Sequence, residues 1–533
     1  MTGTDASPAP ADGRATWLGL GLTALLLLFS FPPLGHPFVA FFALIPAALA
    51  AASAPGFRLW RRAAFLTSWA LWVVLLVWLR HVYPPLGWLG LVGLTAYCAL
   101  YPWLWLLLLR WLLPASAPAS LPARLLAVLG LAGAWGLLEW ARGTFLTGFG
   151  WLPFAASQQG NPVMLTLCAW VGPTGLSMGL VLINLGLASW IIRLRRFRQA
   201  DAALTPMGPM EWTRRLTPEL YLGLAVIAAA FALTLTDAAR PGPRQAVRVA
   251  AMRTHFDPTE KWRADKFSRH AGALVAAGVR VAPDKPDLVV WPEAALPSLL
   301  DDPRYAEFLR ATTGGTPLVL GAVERRGDGY ANSVAVVTAD GAQRPTYAKR
   351  HLVPFGEYVP GADWLPLRKV VPIAEDCVPG QSATLLPVTT RGGFTFLLGP
   401  LVCYEDVFPA LAREHALAGA DALVVVTNDG WYGHEAADAQ HTAHSVLLAA
   451  ATGLPVIRSG NEGWSGVITP RGFLLPSGGA ADPGAEGGVQ VAEIRTHRGL
   501  PTFWVRHGDW AVGLGGLALA LAYVWRRRRA VAR

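Results

Sequence analysis

The chain has 533 residues, 53% of them hydrophobic and only 15% charged, which is too apolar for an ordinary multidomain protein dissolved in water. Its net charge of +10 invites a nucleic-acid reading, but the clustered arginines sit at the ends of apolar segments, where they act as topology signals. Between residues 237 and 508 there is no basic run with interleaved aromatics, so no nucleic-acid partner is expected and a membrane is.

In chain order, Met1 to Ala15 contains Asp5 and Asp12 and lacks a basic n-region followed by a cleavage site. It reads as a short polar tail rather than a removable signal peptide. A hydrocarbon core of about 30 Å needs about 20 apolar residues per helix. By that measure about eight segments are expected to span, at roughly 17–33, 37–54, 63–79, 88–109, 124–141, 173–192, 218–236 and 509–525. The fifth is the weakest, because it holds Glu139. Glu139 and Arg142 lie one helical turn apart, and an ion pair between them is expected. The expected organisation is a transmembrane bundle over 1–236, a folded extramembrane domain over 237–508, and a last transmembrane helix with a basic tail over 509–533.

Loops that stay in the cytoplasm are enriched in Arg and Lys. One alternate set of loops holds Arg58, Arg61, Arg62, Arg110, Arg124, Arg193, Arg195, Arg196, Arg198, Arg214, Arg215 and Arg526 to Arg529, while the other holds only Arg80 and Arg142. Both termini are therefore expected inside the cell and the 237–508 domain outside it, in the periplasm of a bacterium.

Within that domain, four short apolar runs read as buried strands: Asp287 to Trp291, Pro317 to Gly321, Phe394 to Cys403 and Ala422 to Thr427. Helices are expected over Lys261 to Ala277, Pro303 to Thr312, Phe408 to Ala418 and Ala437 to Ala451. Their alternation with the strands argues for an α/β sandwich, and in layered α/β domains ligands bind beyond the strand ends. Glu293 follows the first run, Cys403 and Glu405 end the third, and Asn428-Asp429-Gly430 follows the fourth. There is no Gly-rich phosphate loop. His434, His441 and His444 come nearest to metal spacing but lack a carboxylate at fitting distance, so neither a metal nor another cofactor is expected.

Of the four cysteines, Cys98 and Cys168 lie in or beside membrane segments, while Cys377 and Cys403 share the outer compartment. A disulfide between the latter two is the plain reading. The alternative is acyl transfer: a Cys403 thiolate attacks a carbonyl, Glu293 takes the thiol proton and Lys349 steadies the oxyanion. Taken singly, the three residues are equally well explained as a buried small side chain, a helix cap and a solvated loop lysine.

The strings Trp291-Pro292-Glu293, Tyr347-Ala-Lys349-Arg-His-Leu-Val-Pro-Phe-Gly-Glu357-Tyr and Cys403-Tyr404-Glu405 resemble the nitrilase superfamily, and within it the apolipoprotein N-acyltransferases. Tyr330-Ala-Asn332-Ser333 and Asn428-Asp429-Gly-Trp431-Tyr-Gly433 support the likeness, and Glu139-Trp-Ala-Arg142 and Thr147-Gly-Phe-Gly-Trp151 look like the family's membrane and re-entrant segments. Met252-Arg253-Thr254 and Gly150 depart from the family's usual Gln-Gly-Asn run and Pro. The resemblance implies a nitrilase-like αββα sandwich beside a membrane bundle, with a Glu-Lys-Cys triad carried over as Glu293, Lys349 and Cys403. Glu357, Tyr404 and Glu405 match positions given supporting roles. The implied reaction moves an acyl group from a phospholipid, through a Cys403 thioester, to the α-amine of a diacylated apolipoprotein. The implied place is the bacterial inner membrane.

Apolar residues after the lysine segment, Trp364, Leu365 and Leu367, are expected to form a lipid-facing lid or, equally, core. One rival function is a membrane-tethered amidase using the same triad. Another is a scaffold or transporter, which the near absence of intramembrane ionisable residues other than Glu139 disfavours.

Overall fold

The structure is a computed structural model that describes residues 13–53, 55–83, 86–113, 120–201, 217–238, 245–313, 315–338, 346–362, 364, 366–369, 371, 375–433, 436–475, 488–496 and 501–531. The expectations at residues 1–12, Arg214, Arg215, Leu365 and His434 lie outside the described residues.

Helices overlap all eight apolar segments, but the count of about eight spans is not confirmed. Among the described residues, five helices are long and apolar enough to cross a bilayer: Gly13–Ser30, Leu86–Leu112, Leu121–Arg142, Cys168–Arg195 and Pro218–Thr236. The second segment breaks into a 3-10 turn, Pro37–Phe41, and an eight-residue helix, Ile45–Ala52, because prolines open both pieces. Phe57–Leu75 and Trp510–Val531 are helical throughout but carry Arg58, Arg61 and Arg62 at the start of one and Arg526 to Arg529 near the end of the other. The last helix lies flush against Leu121–Arg142. A Cβ added to Gly133 would meet the Gly515 carbonyl oxygen at 2.0 Å, so only glycine permits this crossing.

Among the described residues, eleven strands form two sheets. The first runs β11 (Gly488–Thr496), β1 (Gln245–Arg253), β2 (Leu288–Trp291), β3 (Leu318–Arg326), β4 (Gly329–Val337) and β5 (Tyr347–Ala348). The second runs β10 (Gly466–Ile468), β9 (Val456–Asn461), β8 (Ala422–Asn428), β7 (Thr395–Val402) and β6 (Leu386–Thr389). The pairs β1–β2, β2–β3, β7–β8 and β8–β9 are parallel. The four strands read from the sequence are β2, β3, β7 and β8, and all four are buried on both faces, which makes their sequences near-continuous apolar runs.

Alternation along each strand sorts the core into layers. Val247, Val249, Val290, Val319 and Val334 of the first sheet meet Phe396, Leu398, Val424, Val426 and Ile457 of the second in one inner core. The outer face of the first sheet, through Ala250, Met252, Leu318 and Leu320, takes the helices Phe267–Val281 and Pro303–Thr313. That of the second, through Leu401, Leu423 and Val425, takes Pro409–Leu417 and Ala437–Thr452, and this core continues without interruption into the membrane bundle. The result is an αββα sandwich whose second helix layer is shared with the bundle.

The helix expected from Lys261 starts later, at Phe267, after turns over residues 258–262 and a 3-10 turn at Ala264–Lys266. The turns leave Lys261 buried, its Nζ donating to the carbonyl oxygen of Glu293 at 2.8 Å.

The expected Glu139–Arg142 ion pair is replaced by two separate sets of bonds. Arg142 donates to the carbonyls of Phe149 and Trp151, at 2.9 and 2.6 Å, and stacks over Trp72. Glu139 accepts from the Trp135 indole at 2.7 Å and from the Phe154 amide at 2.6 Å. The loop 143–153 turns back sharply, which leaves carbonyls and an amide without a regular ladder, and these two side chains satisfy them.

Candidate active site

Glu293 stands two residues beyond the end of β2. The chain there bends through Ala294 at φ +42°, and Gly321 of β3 lies directly beneath, where a Cβ would come within 2.4 Å of the Glu293 Cα. Glycine is required for that approach. With its carbonyl held by Lys261, Glu293 turns its carboxylate toward Asn332, whose Nδ2 donates to Oε1 at 2.6 Å. The same Nδ2 donates to Glu357 Oε1 at 3.0 Å, so one amide bridges two carboxylates. Burial raises the pKa of Glu293, an effect that Lys349 opposes and Glu357 reinforces.

Lys349 follows β5, where its backbone amide donates to the carbonyl oxygen of Asn332 at 2.7 Å. Its ammonium is 1% exposed and contacts both oxygens of Glu357, at 3.0 and 2.9 Å. Burial alone would strip its proton, but Glu357, Glu293 and Cys403 outweigh that and hold its pKa above the usual lysine value. Glu357 thus does pair with a basic group, as a loop carboxylate would, and that group is the candidate triad's own lysine.

Cys403 closes β7 and opens the 3-10 turn Cys403–Val407 at φ +50°, a strained conformation for a residue with a Cβ. Its thiol is buried. Burial first, then Glu293, raise its pKa above the ordinary value; Lys349 and the Thr427 hydroxyl pull it down. Sulfur, carboxylate and ammonium therefore act on one another, and the resting thiol keeps its proton until a base takes it. All four cysteines are free, so the Cys377–Cys403 disulfide is not formed. The Cys377 amide instead donates to the Glu357 carbonyl oxygen at 2.8 Å.

Glu405 braces the turn that Cys403 opens against the lysine segment. It accepts from the amides of Arg350 and His351, at 2.7 and 3.1 Å, from the Val402 amide at 2.8 Å and from the Tyr347 hydroxyl. Tyr404 points the other way, its hydroxyl donating to the Gly148 carbonyl oxygen at 3.2 Å, so the turn touches the loop 143–153 of the bundle.

Trp364 is 91% exposed, which excludes the core reading for that residue. The histidines singled out for metal spacing are engaged otherwise. His444 Nε2 accepts from the Leu152 amide at 3.3 Å, and His441 lies between Asp406 and Asp429. In the sequence Lys261 reads only as the start of a helix, and Asn332 only as part of a string. A buried lysine without a local partner carries no signal of its own, whereas Tyr330-Ala-Asn332-Ser333 marked a place to look.

Comparison with known proteins adds the following. The carbon-nitrogen hydrolase family matches residues 247–498, and the apolipoprotein N-acyltransferase N-terminal domain matches residues 23–186. The chain is 31% identical to the apolipoprotein N-acyltransferase of Geobacter metallireducens over 97% of this chain and 96% of that one. It is 29% identical to the Vibrio vulnificus protein of the same name over 82% and 81%. Among solved structures, the amidase from Nesterenkonia sp. AN1 aligns over 50% of this chain and 96% of its own at 18% identity, with a TM-score of 0.35.

Proposed function

From the premise that the chain belongs to the apolipoprotein N-acyltransferase family, an acyltransferase of the bacterial inner membrane acting on lipid and lipoprotein substrates, we propose a specific reaction. An acyl group leaves a phospholipid, rests on Cys403 as a thioester, and passes to the α-amine of a diacylglyceryl-cysteine apolipoprotein. The observation that supports this reading is that Asn332 and Glu357 link the Glu293 carboxylate to the Lys349 ammonium beyond the ends of β2 and β5, with Cys403 at the end of β7 in the facing sheet.

The steps follow from those three groups. Glu293, whose raised pKa suits a base working near neutral pH, takes the Cys403 proton. The sulfur bonds to the ester carbonyl carbon, and Lys349 faces the oxyanion that forms. The bond to the glycerol oxygen breaks, Glu293 returns the proton to that oxygen, and lysophospholipid departs. The acceptor amine then attacks the thioester and gives a proton to Glu293. The carbon–sulfur bond breaks, and the proton returns to Cys403. Glu357 holds Lys349, Glu405 holds the turn, and Tyr404 ties it to the bundle.

The division into a bundle over 1–236, a catalytic domain over 237–508 and a last helix over 509–533 belongs to the same proposal. So does its orientation, with the catalytic domain in the periplasm and both termini in the cytoplasm, supported by the arginines at one set of helix ends. Each acyl CH₂ taken from lipid into water costs about 0.8 kcal/mol, so the site must open toward the bilayer, and the exposure of Trp364 supports a lipid-facing lid there.

Intact-mass measurement of the purified protein after incubation with phospholipid tests the reading. It calls for a long-chain acyl adduct on the Cys403 peptide that a diacylated lipopeptide discharges as the N-acylated product. The adduct must be absent from Cys403→Ala. A wild-type protein that hydrolyses small amides and never holds a long-chain adduct would be an amidase instead.

A further inference from the structure

Behind Cys403 lie four charged side chains that the reaction above does not use. Asp406 and Asp429, His441 and Arg458 are each no more than 2% exposed. They come from four elements: the nucleophile's own turn, the 3-10 turn Asp429–Tyr432 that follows β8, the helix Ala437–Thr452 and β9. Arg458 Nη1 donates to Asp406 Oδ2 at 2.7 Å and Nη2 to Asp429 Oδ2 at 3.1 Å. His441 Nδ1 bonds Asp429 Oδ1 at 2.7 Å, and its Nε2 stands 2.8 Å from Asp406 Oδ1, close enough for an ion pair though not aligned as a hydrogen bond. Ser445 donates to Asp406 at 2.6 Å and Thr427 to Asp429 at 2.9 Å.

Both nitrogens of His441 face carboxylate oxygens, which accept and do not donate. A neutral ring would turn one lone pair against a carboxylate, whereas an imidazolium answers both and brings the quartet to two positive and two negative charges. A buried cluster one charge out of balance is costly, because no water screens the excess. The quartet also reaches the nucleophile: the Thr427 hydroxyl that donates to Asp429 also contacts the Cys403 thiol.

We propose that His441, held as an imidazolium between Asp406 and Asp429, is a positioning residue for acyl transfer. It cancels the carboxylate charge at the back of Cys403, so that the thiol ionises when Glu293 takes its proton. The inference rests on Cys403 being the nucleophile. Burial alone would deprotonate His441, but Asp406 and Asp429 raise its pKa to about 9. Asp429 itself raises the pKa of Cys403, so its compensation matters at the sulfur. The other groups acting on the thiol are Glu293 and Lys349. Around the quartet stand the Trp151 and Tyr432 rings, and His444, whose burial lowers its pKa to about 3 and keeps it neutral. Asp438 also acts on Arg458 and Asp429, its own pKa raised by burial and by Asp429.

The test is the pH dependence of Cys403 alkylation by iodoacetamide in the detergent-solubilised full chain, read by mass spectrometry of the Cys403 peptide. His441→Gln leaves two carboxylates against one guanidinium. The alkylation midpoint should rise by about one pH unit, and thioester formation at neutral pH should fall about tenfold. The double variant His441→Gln, Asp429→Asn restores balance and should bring the midpoint back toward wild type. A midpoint unmoved in His441→Gln, or equally moved in the double variant, overturns the proposal. Where His441→Gln does not fold, the wild-type protein decides: 15N NMR of the histidine-labelled full chain must show a buried imidazole with both ring nitrogens protonated at pH 7 that titrates near 9, and its absence overturns the proposal. A wild-type protein that alkylates normally but never forms a thioester overturns the nucleophile reading instead, so the two failures are distinct.

Discussion

Trp151 donates its indole N–H to the side-chain carbonyl of Gln440 at 2.8 Å, across 289 residues of sequence. Trp78 donates to the same oxygen at 3.0 Å, and the Gln440 amide donates to the Leu75 carbonyl oxygen at 2.9 Å. One side chain on the helix Ala437–Thr452 therefore holds the loop 143–153 and the end of the helix Phe57–Leu75 against the catalytic sandwich.

Gln440→Leu keeps the volume and removes every polar partner at that junction. Each buried donor or acceptor left alone costs about 1–3 kcal/mol. Thermal unfolding in detergent should show a midpoint lower by about 5–10 °C, with Gln440→Glu less affected because it still accepts from both indoles. Equal midpoints for wild type and Gln440→Leu would show that the junction is held by apolar packing alone.

Glu405 receives N–H groups on both oxygens, so even the nearest amide is a poor substitute. Glu405→Gln turns an NH₂ against donors and should lose about 100-fold in thioester formation, the scale expected when a reacting group shifts by about 1 Å. Glu405→Ala should do the same while alkylation of unfolded Cys403 stays unchanged. Single-turnover acylation measures it, and a loss under about threefold would remove Glu405 from the bracing role.

As the proposed base, Glu293 must be ionised to accept a proton, and burial raises its pKa above 4.5. The acid limb of kcat/KM should therefore lie above pH 4.5, with activity lost as pH falls through it. Asn332 favours the charged form by donating to it, so Asn332→Ala should move that limb to still higher pH. A variant with lower kcat/KM but an unmoved limb would mean that Asn332 holds geometry without tuning the base.

His441 also links stability to pH. Its pKa is raised from 6.5 to about 9, so the folded state binds a proton that the unfolded chain releases near 6.5. The stabilisation is complete below pH 6.5 and is lost as pH rises through about 9. Lys261 works oppositely: burial lowers its pKa to about 8, so folding becomes more favourable as pH rises above that. The diagnostic is therefore a difference. Wild type should lose thermal stability between pH 6.5 and 9 relative to His441→Gln, and parallel curves would contradict a charged His441.

The sequence disclosed what repeats locally and concealed what is paid out across the chain in single contacts. β2, β3, β7 and β8 were legible because both their faces are apolar. β9 was not, because Arg458, Ser459 and Asn461 are fully buried polar residues whose partners lie in other elements. β11 was hidden by its edge position, where exposed Glu493 and Arg495 break the apolar run. Glu293, Lys349 and Cys403 stood out as candidates because each stands just past a strand or in a recognisable string. Asn332, Lys261 and Thr427 act through contacts with residues distant in the chain or through backbone atoms, and periodicity registers neither. His441 was noticed for a spacing that suggested metal, while its real partners, Asp406 and Asp429, sit 35 and 12 positions away.

The sandwich gives its second helical layer to the bundle, so the catalytic half has no finished exterior on that side. Released as a fragment, residues 237–508 would turn Val446, Leu447 and Ala450 of the helix Ala437–Thr452, now sealed in the common core, outward to water. Such a truncation should clump or need detergent, although it contains Glu293, Lys349 and Cys403. For this enzyme the membrane half serves as part of the fold of the chemistry half and cannot be treated as a detachable anchor.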